Sequence, residues 1–358
     1  MRADLTRRGL LAAPLVLAAC DRFASAETPV TPRAAPPLKS LAPFPIGTCA
    51  QTSQFDDPAW VSLAETNVSQ LTPEWQMKME YVLADGLGRY RFDAPDRIAA
   101  FAHDHAMRLH GHTLIWYAQG REAFEGLNRA RFVAEFDRYI ATVAGRYRGK
   151  VVSWDVVNEA VRDDAPELRD CHWSETLGHD GYIERAFHQA RAADPDAVLF
   201  LNDYNLENNP EKGATFLKLV ERLLKAGAPV GGIGTQSHLD ISIHAGQTRA
   251  FFRDAAAFGL PIHVSELDAS LKDDGRIDFR SRGLRIEQQT ARVGELASAF
   301  MDLPPAQRFA FTVWGLRDTD SWLRQGEHAD PQDQPLLFDA EGQANPMFWA
   351  VEGALRAA

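Results

Sequence analysis

Glu159 and Glu266 are the two carboxylates around which chemistry can be built, because each closes a short apolar run in polar company. The chain reads Trp154-Asp155-Val156-Val157-Asn158-Glu159 at the first and Val264-Ser265-Glu266-Leu267-Asp268 at the second. Two carboxylates flanking one bond, one protonated and one ionised, are what hydrolysis of a glycosidic bond requires. A single glutamate after a strand is more often a salt-bridge partner or helix cap, so neither residue carries weight alone. Their surroundings change that. Asn158 precedes Glu159 and can donate to a sugar 2-hydroxyl, while Thr235-Gln236-Ser237-His238 ends another run, from which Gln236 and His238 can hold the charge on Glu266. His112 and Trp116 close a further run, and Asn202-Asp203-Tyr204-Asn205 another. Trp116, Trp314 and Trp322 offer aromatic faces of the kind sugar rings stack on, whereas Trp154, inside an apolar run, is assigned to the core.

These residues need a scaffold that gathers them. Apolar, β-branched runs occur at residues 45–50, 67–71, 109–116, 151–158, 197–202, 231–236, 261–266 and 308–314. Helical patterns such as residues 131–146, 181–193, 213–225 and 285–301 lie between them. Alternation of this kind predicts α/β units on a parallel sheet, and eight units predict a closed (β/α)₈ TIM barrel. The carboxyl ends of barrel strands converge on one face, so Glu159 after the fourth strand and Glu266 on the seventh should meet there. An open doubly wound sheet would need a glycine-rich phosphate loop after its first strand, and Ile46-Gly47-Thr48-Cys49-Ala50 has neither the spacing nor the composition.

Taken together, these segments resemble glycoside hydrolase family 10, the retaining endo-β-1,4-xylanases, from about residue 46 to residue 349. Trp154 to Ala160 resembles the family's acid/base segment and Ser265-Glu266-Leu267-Asp268 its nucleophile segment. The resemblance implies Glu159 as acid/base and Glu266 as nucleophile, with carboxyl groups about 5–5.5 Å apart for retention. It also implies sugar contacts from His112 and Trp116 at subsite −1, with Gln119 shortly after, and from Pro73-Glu74 with Lys78 in the glycone loop. His238 is implied to contact the nucleophile, Tyr204 to face the aglycone, and Trp314 and Trp322 to cover the −1 and −2 sugars. The implied substrate is xylan or xylo-oligosaccharide, and no cofactor or metal is needed. At two positions the chain departs from the family: Trp75 stands where Asn usually follows the glycone-loop glutamate, and Tyr117 where His usually follows the third-strand tryptophan. Subsite −2 is where the first departure should be felt.

Length and composition agree with this outline. A chain of 358 residues, 45% hydrophobic and 24% charged, suits one large domain with a short extension. A formal net charge of −11 offers no basic stripe for nucleic acid and favours a neutral substrate. Residues 1–20 read as an export signal, with Arg7-Arg8 before an apolar run at residues 9–19 that is too short to span a bilayer. Twin arginines suggest Tat export, and Leu17-Ala18-Ala19-Cys20 resembles a lipobox, making Cys20 a lipid anchor to the membrane. Asp21 resembles an inner-membrane retention signal, so the expected location is the periplasm or cell envelope. Residues 21–44, carrying Pro29, Pro32, Pro36, Pro37 and Pro43, are expected to form an extended tether, and residues 45–358 the catalytic domain, acting as a monomer. Cys49 and Cys171 are expected to be separate buried thiols.

Three competing readings remain at this point. A related retaining hydrolase could act on another β-glycan with the same two glutamates. A non-catalytic glycan-binding lipoprotein could use the same cleft. A metal-dependent hydrolase is suggested by His103, His105, His110 and His112, but residues two apart on a helix do not share a face.

Overall fold

Sequence periodicity becomes architecture through eight parallel strands, β1 Ile46–Ala50, β2 Gln70–Pro73, β3 in two segments Arg108–Gly111 and Ile115–Trp116, β4 Val151–Asn158, β5 Val198–Asp203, β6 Gly232–Thr235, β7 Ile262–Leu267 and β8 Arg308–Val313. Each strand pairs with the next, and β1 with β8, so the sheet closes on itself. The computed structural model describes residues 34–272, 279–325 and 330–357. Residues 1–20 with Cys20, and the first part of the expected tether, lie outside the described residues.

Helices α1 Pro58–Asn67, α2 Asp93–Asp104, α3 Arg129–Arg146, α4 His179–Ala193, α5 Pro210–Lys225, α6 Gln247–Ala256, α7 Arg282–Met301 and α8 Pro346–Arg356 accompany the strands. Several start earlier than apolar periodicity predicts because a polar side chain caps them. Asn128 accepts from Arg131 N–H, Asn209 from Glu211 and Lys212 N–H, and Ser281 from Leu284 N–H. Such caps satisfy amides that the first helical turn leaves free. Each apolar helix face then packs on the core around buried Trp154, Phe216 and Tyr139.

Two strands differ from expectation. The second begins at Gln70 rather than residue 67, because α1 continues through Asn67, whose amide donates to Leu63 O at 3.0 Å and accepts from Leu38 N–H at 3.3 Å. That second bond also shows that the end of residues 21–44 is not extended: Leu38–Leu41 forms a helical turn with Leu38 buried, so the folded unit begins near Ala35. The third strand breaks at residues 112–114, where Leu114 N–H and the Thr113 hydroxyl both donate to Asp155 O. The break turns His112 into the barrel mouth. Cys49 and Cys171 are buried and not bridged.

Candidate active site

Glu159 sits just past β4 with φ +62°, a left-handed conformation that costs a non-glycine residue about 1–3 kcal/mol and tends to persist only where the surroundings enforce it. Here they do. Its N–H donates to Asn202 O at 2.8 Å, and Arg169 Nε donates to its carbonyl at 3.3 Å. The side chain is thereby aimed across the mouth. Oε2 accepts the Trp116 indole N–H at 2.8 Å, and Oε1 accepts from Asn158 at 3.0 Å and Gln236 at 3.1 Å.

Glu266, on β7, is buried and faces another set of partners. Oε1 accepts from the Asn202 amide at 2.9 Å and has His112 Nδ1 4.0 Å away, while Oε2 lies 3.5 Å from His238 Nε2. Burial alone would raise its pKa, but His112, His238 and then Lys78 outweigh that and hold it below the usual glutamate value. His238 is in turn paired at Nδ1 with Asp268 Oδ1, 2.9 Å away. Burial pulls this imidazole down, yet Asp268 and Glu266 more than reverse the effect and push it up to about 10, so it is a cation at neutral pH. Trp322 donates its indole N–H to Asp268 Oδ2 at 2.9 Å, locking the same aspartate from the other side.

Beneath the glutamates lies a polar layer inside the barrel. Asp155 Oδ2 meets His110 Nε2 at 2.9 Å and His112 Nδ1 at 2.8 Å. Burial opposes its ionisation, but the two imidazoles hold it below the ordinary carboxylate range. Asn202 bridges upward, donating to Asn158 Oδ1 at 2.9 Å as well as to Glu266, and accepting from the Ser265 hydroxyl at 2.8 Å. Gly234 on the neighbouring strand makes room for it, since a Cβ there would stand 2.4 Å from Asn202 Oδ1.

Further residues surround the two glutamates. Glu74 accepts from Gln51 at 3.0 Å and is raised above its usual pKa by burial, an effect partly offset by Gln51 and Lys78. Lys78 Nζ lies 4.9 Å from the Trp116 ring centre and 5.9 Å from that of Trp314, whose indole meets His112 edge-on at 5.3 Å. A cavity of about 400 Å³ beside His238 is lined by Tyr204, Asn205, His238, Asp268 and Trp322 among others. Tyr204 is fixed from three sides: its hydroxyl bonds Asp163, Arg169 donates to that hydroxyl at 3.2 Å, and Lys212 Nζ sits 3.5 Å from the ring centre.

Most of the residues expected from sequence therefore converge, with differences at Gln236 and Gln119. Gln236 does not serve Glu266 through its side chain; the amide crosses to Glu159 and to Asn158 at 3.2 Å, because only its backbone carbonyl faces the Glu266 N–H. Asn158 accepts from Asn202 and Gln236 and spends one amide N–H on Glu159, which leaves its second N–H as a donor for a sugar hydroxyl. Gln119 turns away: its amide donates to Glu80 Oε2 at 2.9 Å and accepts from Glu80 N–H at 3.1 Å. Trp314 and Trp322 both face His238, with ring centres 6.5 Å and 5.7 Å from its imidazole, so the two indoles expected to act together lie about one histidine. Sequence reasoning gave no separate role to Asn202, Asp155, Asp268 or Arg169. A polar residue inside an otherwise buried strand was the one available signal for the first two.

One group of potential metal ligands occurs among the described residues, His112, Asp155 and Glu266, with one ligand atom from each within 4.8 Å of the others. Those atoms already engage each other and Asn202. The four histidines close in sequence part company: His103 pairs with Asp104 and His105 with Glu65 on the surface, while His110 and His112 meet Asp155 inside.

Two buried-to-part-buried glutamates from β4 and β7 at the mouth of a (β/α)₈ barrel, flanked by tryptophans, define a glycoside hydrolase. Residues 39–354 match the model of glycosyl hydrolase family 10. Endo-1,4-beta-xylanase A of Cellvibrio japonicus is 35% identical over 347 residues, covering 89% of this chain and 56% of that protein. Endo-1,4-beta-xylanase of Geobacillus stearothermophilus is 35% identical over 302 residues, covering 81% of this chain and 90% of that protein. The structure of a thermostable mutant of a xylanase from Cellvibrio japonicus superposes with TM-score 0.81 at 34% identity, covering 89% of this chain and 99% of that one. The chain belongs to glycosyl hydrolase family 10. It spans just over half the length of the first of these relatives.

Proposed function

We propose that the protein is a retaining endo-1,4-β-xylanase working by double displacement on xylan or xylo-oligosaccharides. The observation that carries this reading is Glu266, a buried carboxylate kept ionised by His112, His238 and Asn202 and thus ready to attack an anomeric carbon. Glu159 protonates the departing glycosidic oxygen as that bond breaks, and Glu266 Oε forms a bond to the anomeric carbon. The resulting carboxylate of Glu159 then takes a proton from water, whose oxygen displaces Glu266 and restores both groups. Trp116, Asn158 and Gln236 orient Glu159; Lys78, Trp314 and Trp322 border the sugar on the nucleophile's side of the bond, and Tyr204 borders it on the leaving-group side. Homologous xylanases support xylan as the substrate class.

The mechanism is tested by trapping. An activated 2-deoxy-2-fluoro-xylobioside should label the peptide containing Glu266 and no other, as read by mass spectrometry. A label on another peptide would overturn the assignment. We further propose that Cys20 is acylated and tethers the enzyme to the cell envelope on the periplasmic side. Incorporation of radioactive palmitate, lost on Cys20→Ser, is expected, and an unlabelled mature protein would remove the basis for the tether.

A further inference from the structure

Tyr117 occupies a position that the retaining mechanism above leaves unused. It follows Trp116, the donor to Glu159 Oε2, and its ring stands at 79° to that indole with centres 5.9 Å apart. Its other neighbour is Arg169, whose guanidinium carbon lies 4.1 Å from the ring centre. Arg169 also donates to the carbonyls of Glu159 and Val161 and to the Tyr204 hydroxyl. The ring is thus clamped beside the proposed acid on a cation that is itself fixed to the backbone around it. The two phenols in this group differ. The Tyr204 hydroxyl is committed to Asp163 and Arg169, whereas among the described residues the part-buried Tyr117 has no hydrogen-bond partner for its hydroxyl.

The side of the bond that Tyr117 serves follows from the chemistry. The acid protonates the leaving oxygen, and Arg169 joins the Tyr117 ring to the Glu159 carbonyl and to Tyr204, whereas His112, His238 and Lys78 act on the nucleophile. We infer that Tyr117 is a specificity residue on the leaving-group side, donating a hydrogen bond from its phenol to a hydroxyl of the first sugar beyond the scissile bond. Burial first, and then the nearby charge of Glu159, raise the phenol pKa and keep it a donor at neutral pH. The inference rests on the proposed glycosidase reading.

Tyr117→Phe tests it, because phenylalanine keeps the ring on Arg169 and removes only the hydroxyl. The readout is the ratio of kcat/KM on xylopentaose to kcat/KM on 4-nitrophenyl β-xylobioside, whose leaving group carries no sugar hydroxyl. Loss of one hydrogen bond to substrate should lower that ratio about fivefold or more. A ratio unchanged within twofold, with both substrates still cleaved, would assign Tyr117 to packing alone and overturn the inference while the enzymatic reading stands. Wild-type protein inert on both substrates would overturn the reading and the inference with it.

Discussion

The Asn202 side-chain amide donates to Glu266 Oε1 at 2.9 Å and to Asn158 Oδ1 at the same distance, and Asn158 donates to Glu159 Oε1 at 3.0 Å. The two glutamates are therefore joined by two carboxamides rather than positioned independently. A shift of either amide reaches both carboxylates.

That coupling makes Gly234 a sensitive position. Gly234→Ala places a methyl group against Asn202 Oδ1 and should lower kcat at least about tenfold while the fold survives, since a small misplacement of reacting groups is costly. Circular dichroism checks the fold and steady-state kinetics the loss; wild-type kcat would show that Asn202 does not position the site.

Removing either glutamate should have different consequences. Glu266→Ala should abolish turnover of every substrate. Glu159→Ala should spare substrates with good leaving groups, which need no proton from an acid, while turnover of xylan falls by orders of magnitude. Equal losses on xylan and on an aryl xylobioside would contradict the assignment.

His238 is expected to set the acid limit of activity. Its imidazolium, with His112 and Lys78, holds the Glu266 pKa down, and the nucleophile works only when ionised. His238→Asn removes a positive charge, raises the Glu266 pKa and should move the acidic limb of the kcat/KM profile upward by about one pH unit. An unmoved limb would mean that another group governs it.

Asp318 offers a stability test away from the reaction. Burial raises its pKa to about 7, with Asp333 and Asp339 adding to this and Leu336 N–H and Arg324 opposing it. An acid whose folded pKa exceeds its unfolded value of about 3.9 favours folding below that value, and this advantage disappears as pH rises through the folded pKa. Asp318→Asn keeps an acceptor for Leu336 N–H and removes the buried charge, so it should raise Tm by about 2 °C or more at pH 8 and give no gain at pH 4. A gain that does not depend on pH would refute the electrostatic account.

Trp75 is the departure at the glycone end. It is 41% exposed and meets Tyr81 edge-on at 5.2 Å, next to Glu74 in sequence. Trp75→Asn, which restores the usual family residue, should alter KM for xylo-oligosaccharides and their product pattern while an aryl xyloside is cleaved as before. Unchanged products would place Trp75 outside the cleft.

The barrel was legible because its signal is distributed: eight apolar runs at strand spacing leave little freedom, and both glutamates stand at strand ends. Local detail was less legible for identifiable reasons. The Asn67 side chain extends α1 into the expected second strand, a tertiary contact with Leu38 that no local pattern contains. Gln236 and His238 are two residues apart, yet one side chain serves Glu159 and the other Glu266, because the chain leaves β6 at Thr235 and Ser237 adopts φ +58°. The bond from the Trp322 indole to Asp268, which ties this ring to the partner of His238, is a contact between distant segments that no local pattern contains.

The most direct test of the central claim is incubation of the purified protein with xylohexaose, beside cellohexaose as control, with new reducing ends followed by proton NMR from the first minutes. The account predicts short xylo-oligosaccharides whose reducing ends appear first in the β configuration, then mutarotate. Initial α ends would contradict double displacement, and cleavage of cellohexaose alone would contradict xylan as the substrate.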